Sequence, residues 1–276
     1  MELVTIIIPV YKTTMSENES SSFRQCCSIL NRYDITIISP DGLDISCYTK
    51  VLNEYNTTFF HIEFDKSAFL NIEGYNKLML DKNFYDKFKQ YEYILIHQLD
   101  AYVFEDKLEY WCKQGFDYIG APWFFKLWRF KHTKRLTSVG NGGFSLRRVE
   151  ACLNVLNHKG QFKEKALSLF ALKNSIFLKL LKLPFNRLIS IGFRNINTVP
   201  FFVSINSKTE DMFWGIDTRD TLVDFKVAPV EKGIEFAFEC NPEFLFEKND
   251  NKLPFGCHAY MKYEPKFWAK YIKLKL

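Results

Sequence analysis

Hydrophobic positions come in short, dense runs through the first hundred residues. "VTIIIPVYK" is β-branched and apolar from Val4 and stops at Pro9, as expected of a strand buried on both faces of a parallel sheet. "DITIISPDG" repeats the pattern and closes on a Pro-Asp-Gly turn. "TFFHIEF" supplies a third strand, and residues 18–32 read as a helix between the first two strands. "NIEGYNKLMLDKNFYDKF" has apolar residues at helical spacing and predicts one amphipathic helix. In "ILIHQLDAYVF", Ile94, Leu95 and Ile96 form a fourth strand with Asp100 at its end. Alternating strands and helices predict an α/β domain with a doubly wound, mostly parallel twisted sheet flanked by helices.

The second half is patterned differently. "FDYIGAPWF" is a short strand followed by an aromatic loop, and "SVGNGGFSLRR" is a glycine-rich turn entering a strand or helix. "KTEDMFWG", "FKVAPVEKGIEFAFE" and "LPFGCHAYMKY" follow. Residues 160–195 hold Lys163, Lys165, Lys173, Lys179, Lys182, Arg187 and Arg194 against one acid, Glu164, interleaved with apolar residues such as Phe170, Ile176 and Leu180. This basic amphipathic insertion is either a helical element with a solvated face or a surface that docks on an anionic membrane without spanning it. No repeat or low-complexity linker interrupts the chain, so residues 1–276 are read as a single domain.

Composition narrows the classes. With 276 residues the chain can bury a sizeable core. Aromatics make up 17%, including 28 Phe and 14 Tyr, which suits a core and equally suits stacking on sugar faces. The net charge of +5 is too mild for a nucleic-acid binder and fits an anionic small molecule or membrane surface. Seven cysteines include no C-x-x-C pair, which points to reduced thiols in a cytoplasmic protein. The N-terminus enters a strand directly, with no signal-peptide pattern, and no apolar run is long enough to span a bilayer.

Four stretches carry candidate chemistry: Asp100 after the fourth strand, "GNGGFSLR", "EDMFW" and "FGCHAY". Each has a structural alternative. Asp100 is either a ligand at the sheet edge or a helix cap. The glycines are either a tight turn or a point of close backbone approach. Glu210 and Asp211 are either site acids or a solvated helix start. His258 is either a ligand or a satisfied buried histidine.

In this order the stretches resemble the GT-A glycosyltransferases. The block "YILIHQLDAYVF…GFDYIGAPWF…VGNGGFSLR…EDMFW…VAPVE…FAFE…LPFGCHAY" is similar to a bacterial family of GT-A-type glycosyltransferases labelled DUF5672, from the first strand to "HAYMKY" with residues 160–200 outside it. The resemblance implies transfer of a sugar from a nucleotide-diphosphate donor, a UDP-sugar first of all, to a hydroxyl of a glycan or lipid-linked glycan. Cell-surface polysaccharide or lipopolysaccharide synthesis at the inner face of the cytoplasmic membrane would be the setting. It divides the domain into a nucleotide-binding half, 1–105, and an acceptor-binding half, 106–276.

Residue by residue, the resemblance implies Asp211 as general base, Glu210 as the group that either holds the acceptor or orients Asp211, and inversion at the anomeric carbon. A divalent metal, Mn²⁺ or Mg²⁺, would sit on Asp100 and His258. The family's D-x-D is incomplete, since either register through Asp100 has one carboxylate, and an imidazole–carboxylate pair favours Mn²⁺. Pro9, Tyr11, Lys12, Asp41, Asp100 and Tyr102 are candidate donor contacts. Asn141, Gly142 and Gly143 are placed between donor and acceptor. Trp123 and Trp214 are either sugar platforms or core residues. The rival functions are a non-catalytic carbohydrate- or nucleotide-binding protein of the same fold and a nucleotidyltransferase. The second is disfavoured because "PVYKTT", after the first strand, has no glycine to wrap a triphosphate.

Overall fold

The computed structural model describes residues 1–124, 134–157, 209–220 and 224–274. The basic insertion at 160–195, with Lys173, Lys179 and Lys182, lies outside them.

The first half alternates β1 (Glu2–Pro9), α1 (Glu17–Ile29), β2 (Asp34–Pro40), α2 (Ser46–Glu54) and β3 (Phe59–Phe64). Two short helices, α3 (Ile72–Met79) and α4 (Lys82–Asp86), lead to β4 (Tyr91–His97). Ser16 and Glu19 form a capping box that starts α1, satisfying two otherwise orphaned backbone donors. The single amphipathic helix expected near residues 71–88 is broken at Asp81. Its carboxylate accepts from the Asn83 amide and opens a new helix there, a local bond that outcompetes helix continuation.

The central sheet runs β3-β2-β1-β4-β9-β6, where β6 is Tyr118–Gly120 and β9 is Phe144–Arg148. β1, β2, β3 and β4 are parallel, and β9 runs antiparallel between β4 and β6. This is a mixed α/β fold with a mostly parallel central sheet and flanking helices. Ile6, Ile7 and Ile8 of β1 and Ile94, Leu95 and Ile96 of β4 are fully buried, which is why these strands read as continuous apolar runs rather than alternating ones. β4 and β9 pair in register, with His97 opposite Phe144, so both halves of the chain build one sheet.

The remaining elements are β5 (Ala101–Val103), α5 (Leu108–Lys113), β7 (Pro122–Phe124), β8 (Leu136–Val139) and α6 (Val149–Asn157). After them come α7 (Glu210–Gly215), α8 (Val230–Phe236), β10 (Ala237–Phe238), α9 (Pro242–Lys248), β11 (Gly256–His258) and α10 (Pro265–Trp268). β10, β11 and β5 form a small second sheet. Around it packs a separate apolar cluster that includes Phe238, Tyr260, Phe267 and Trp268.

Much of the aromatic content is core. Phe84 contacts Tyr85 and Phe88, Tyr85 meets Trp214 edge-on, and Phe144, Phe236 and Phe255 pack together. Among the described residues no helix is long and apolar enough to cross a membrane.

Candidate functional site

A cavity of about 570 Å³ opens beyond the carboxyl ends of β1 and β4. This edge of a parallel sheet is where α/β folds bind ligands. Pro9 and Tyr11 line it from β1, Gln98 and Asp100 from β4, Tyr75 and Asn76 from α3, Gly142 and Gly143 from the turn before β9, Glu210 and Asp211 from α7, and His258 from β11. A larger hollow of about 1230 Å³, bordered by Phe104, Tyr110, Phe244 and Lys248, contains none of the candidate catalytic or metal residues.

Asp100 follows the end of β4 by three residues, in the turn into β5. A strand follows it, so it caps no helix. Its side chain is half-exposed, and Oδ1 lies 3.2 Å from His258 Nε2. On the other side of the ring, His258 Nδ1 lies 3.1 Å from Glu239 Oε1. A carboxylate can only accept, so Nδ1 carries the proton and donates to Glu239. Burial opposes charge on the ring, but the flanking Asp100 and Glu239 carboxylates prevail and push His258 up to about 10. Asp100 is held below its ordinary value: burial works against its charge, and His258 outweighs that.

The two acids of α7 are placed differently. Glu210 is buried: its Oε1 accepts from Arg147 Nη2 at 3.0 Å, and Arg147 Nη1 lies 2.9 Å from Oε2. Arg147, fully buried in β9, also donates to Ser145 Oγ and Tyr85 Oη. The Glu210 amide donates to Asn76 Oδ1 at 3.2 Å. Glu210 therefore forms the cavity floor as a structural anchor, and its carboxylate is committed to Arg147 rather than free to hold an acceptor. Asp211 is half-buried, accepting from the amides of Asn141 at 3.1 Å and Met212 at 2.9 Å. Burial raises its carboxyl; Thr209 and the two amides pull it back, while the Glu239 charge adds to the rise.

Asn141 sits in the left-handed region at φ 84, which Asn tolerates better than most residues. Its Oδ1 accepts from the Gly143 and Phe144 amides and so closes the turn. It is buried and positions Asp211 through its backbone N–H, rather than lining the cavity. The glycines after it make room for the protein's own side chains. A Cβ on Gly142 would lie 2.1 Å from Glu210 Oε1, and one on Gly143 would lie 2.1 Å from His258 Nε2.

Several expected contacts are not brought to the cavity. Trp214 is fully buried against Tyr85, Phe213 and Phe225, so it is a core residue and not a sugar platform. Tyr102 is buried in β5 against Phe104 and Tyr260. Trp123 packs its ring on Gly140. Lys12 points to Glu19 on the surface at 3.3 Å, and Asp41 is exposed past β2, outside the lining. Conversely, Glu239, Arg147, Tyr75 and Asn76 were not among the expected residues. The signal available was a charged residue in an apolar strand: Arg147 in "FSLRR" and Glu239 ending "FAF".

A divalent cation fits the Asp100–His258 pair. His258 Nε2 is buried with no aligned hydrogen-bond partner among the described residues, and its other nitrogen is fixed by Glu239. Two ligands on neighbouring corners of an octahedron with bonds near 2.1 Å stand about 3 Å apart, close to the Nε2–Oδ1 separation. No group of three or more His, Cys, Asp or Glu suited to a metal occurs among the described residues, so a cation held by this pair would take the rest of its shell from water and substrate oxygens.

The chain belongs to the DUF5672 family, described as a protein of unknown function, whose model matches residues 59–258. The match starts at β3 rather than β1 and runs through 160–200, which the sequence resemblance had placed outside. The family description names neither an activity nor a bacterial origin. A search of the curated proteins found no match. Among solved structures, the chain is similar to core-mannan synthase A from Aspergillus fumigatus in its Mn/GDP form, at 10% identity and TM-score 0.36, covering 55% of this chain and 60% of that one. It is also similar to the glycosyltransferase GlyE of Streptococcus pneumoniae, at 9% identity and TM-score 0.49, covering 100% of this chain and 61% of that one. Mouse xyloside xylosyltransferase 1 aligns at 12% identity and TM-score 0.44, covering 92% and 97%. The chain thus spans about 60% of the length of the first two.

Proposed function

We propose that the protein is a GT-A-type glycosyltransferase that moves a sugar from a nucleotide-diphosphate donor, in the first instance a UDP-sugar, to a hydroxyl of a glycan or lipid-linked glycan. The observation that carries this reading is the convergence of Asp211 with the Asp100–His258 pair on one cavity at the carboxyl edge of the sheet. Asp211 would accept the proton of the attacking hydroxyl, and its raised carboxyl suits a general base better than an ordinary aspartate. Attack from the Asp211 side, opposite the leaving diphosphate, inverts the anomeric carbon. A divalent metal on Asp100 and His258 would supply charge neutralisation for the departing diphosphate.

The chain's own residues would do the rest. Asn141 and Met212 hold both Asp211 oxygens through their amides, and the Arg147–Glu210 pair fixes the start of α7 beneath it. Tyr11, exposed at the mouth, is available to stack on the base. The whole chain acts as one domain, with donor contacts from 1–105 and acceptor contacts from 106–276. The basic composition of 160–195 favours work at an anionic, cytoplasmic membrane face on a cell-surface glycan or lipopolysaccharide precursor.

The lone carboxylate at the D-x-D position favours one competing reading, a binding protein that holds nucleotide or carbohydrate without turnover. A panel of nucleotide sugars incubated with the protein, with and without Mn²⁺, separates the two. Mn²⁺-dependent donor hydrolysis or transfer with at least one donor is expected. Donor binding without turnover across the panel and a glycan acceptor set would leave the binding reading in its place.

A further inference from the structure

We infer that Glu239 is a positioning residue that presents His258 to a cation with the correct nitrogen free. This rests on the metal-assisted reading of the cavity. The small sheet carries the argument. β10 pairs with β11 in parallel, Phe238 opposite Cys257, so the next residues along are Glu239 and His258. On the other flank β11 pairs with β5 antiparallel, His258 opposite Ala101, and the Ala259 amide donates to the Asp100 carbonyl at 2.9 Å. Glu239 just past β10, His258 at the end of β11 and Asp100 just before β5 thus lie side by side, with the imidazole in the middle.

The chemistry follows from which atoms face which. Glu239 Oε1 accepts from Nδ1 at 3.1 Å, which fixes the ring and turns Nε2 towards Asp100, so that a cation bound there would displace the Nε2 proton and leave Nδ1–H on Glu239. Gly143 closes the remaining side, with no room for a Cβ beside Nε2. The ring can neither flip nor swing without breaking the Glu239 bond. Glu239 does not line the cavity, so it acts through His258 and not on substrate. A carboxylate behind a histidine ligand both orients the ring and raises its basicity, and losing such a partner typically costs about 10–100-fold in metal affinity.

The test compares the full chain with Glu239→Gln and Glu239→Ala variants. Mn²⁺ alone is titrated and free ion is read by electron paramagnetic resonance. Cd²⁺-loaded, ¹⁵N-histidine-labelled protein reports the ring nitrogens directly. Glu239→Ala is expected to weaken Mn²⁺ binding about 10–100-fold and to lose the single metallated-Nε2, protonated-Nδ1 pattern. Glu239→Gln, whose amide oxygen still accepts from Nδ1, is expected to restore that pattern and most of the affinity. A role confined to fold stability would lower the melting temperature of both variants while leaving the ring pattern and Mn²⁺ affinity alone, and would overturn the inference. Equal losses in Gln and Ala variants would overturn it too, because charge or direct ligation would then matter rather than positioning. A wild-type chain that binds no Mn²⁺ overturns both this inference and the metal-assisted reading. Normal Mn²⁺ binding with the predicted variant pattern, but no turnover on any donor, overturns the enzymatic reading alone.

Discussion

Arg147 and Glu210 are joined across 63 residues of chain, with Nη1 2.9 Å from Oε2 and both side chains buried. The pair ties β9 to the first turn of α7, and with it the position of Asp211. A buried pair adds little net stability over a well-packed apolar pair, but breaking it strands a charge in the core. Arg147→Met is expected to destabilise the fold by about 3–5 kcal/mol in chemical denaturation. The double variant Arg147→Met/Glu210→Leu should recover most of that loss. A single variant as stable as wild type would show that the pair carries no such constraint.

Asp211→Asn should leave nucleotide-sugar affinity within about twofold and lower transfer by about a hundredfold to ten-thousandfold, the usual cost of removing a general base. In the wild type a raised carboxyl must lose its proton to act. Activity should therefore fall as pH drops through a value above the ordinary 3.8 of an aspartate. A kcat/KM profile flat down to pH 4, or normal turnover by the asparagine variant, would remove Asp211 from the role.

Asp100→Ala and His258→Ala should each weaken Mn²⁺-dependent donor binding by about tenfold or more in calorimetry. Unchanged affinity in both would place any metal elsewhere.

Gly143→Ala puts a methyl group where His258 Nε2 now stands, 2.1 Å from the new carbon. The ring must move, so Mn²⁺-dependent donor binding should fall roughly as in His258→Ala, while the core strands keep the fold intact by circular dichroism. Wild-type donor binding by this variant would mean that His258 is not held against the turn.

The basic stretch at 160–195 predicts sedimentation with liposomes that contain anionic lipid, lost at high salt and in a Lys173→Glu/Lys179→Glu/Lys182→Glu variant. Each basic residue near such a surface contributes about 1 kcal/mol. Equal sedimentation with neutral and anionic vesicles, or none with either, would remove the membrane role.

The sequence by itself determined the central strands and the order in which the chain visits them. Periods of two and 3.6 residues are local, and strands buried on both faces, such as Ile6–Ile8 and Ile94–Ile96, announce themselves as unbroken apolar runs. Asp100, Asp211 and His258 stood out as residues worth placing through the order of their motifs and the family resemblance that order carries, since each taken singly has an ordinary structural alternative. Tertiary structure alone decided their partners. Glu239 meets His258 through the pairing of β10 with β11, a register that no single segment encodes. Glu210 and Asp211 are adjacent in sequence and both line the cavity, yet they have different partners, Arg147 for one and the Asn141 and Met212 amides for the other, because consecutive residues on a helix are about 100° apart. Trp214 faces the core for the same reason. The glycines before β9 signalled close approach, but only the folded chain showed that what approaches Gly142 and Gly143 is the protein's own Glu210 and His258.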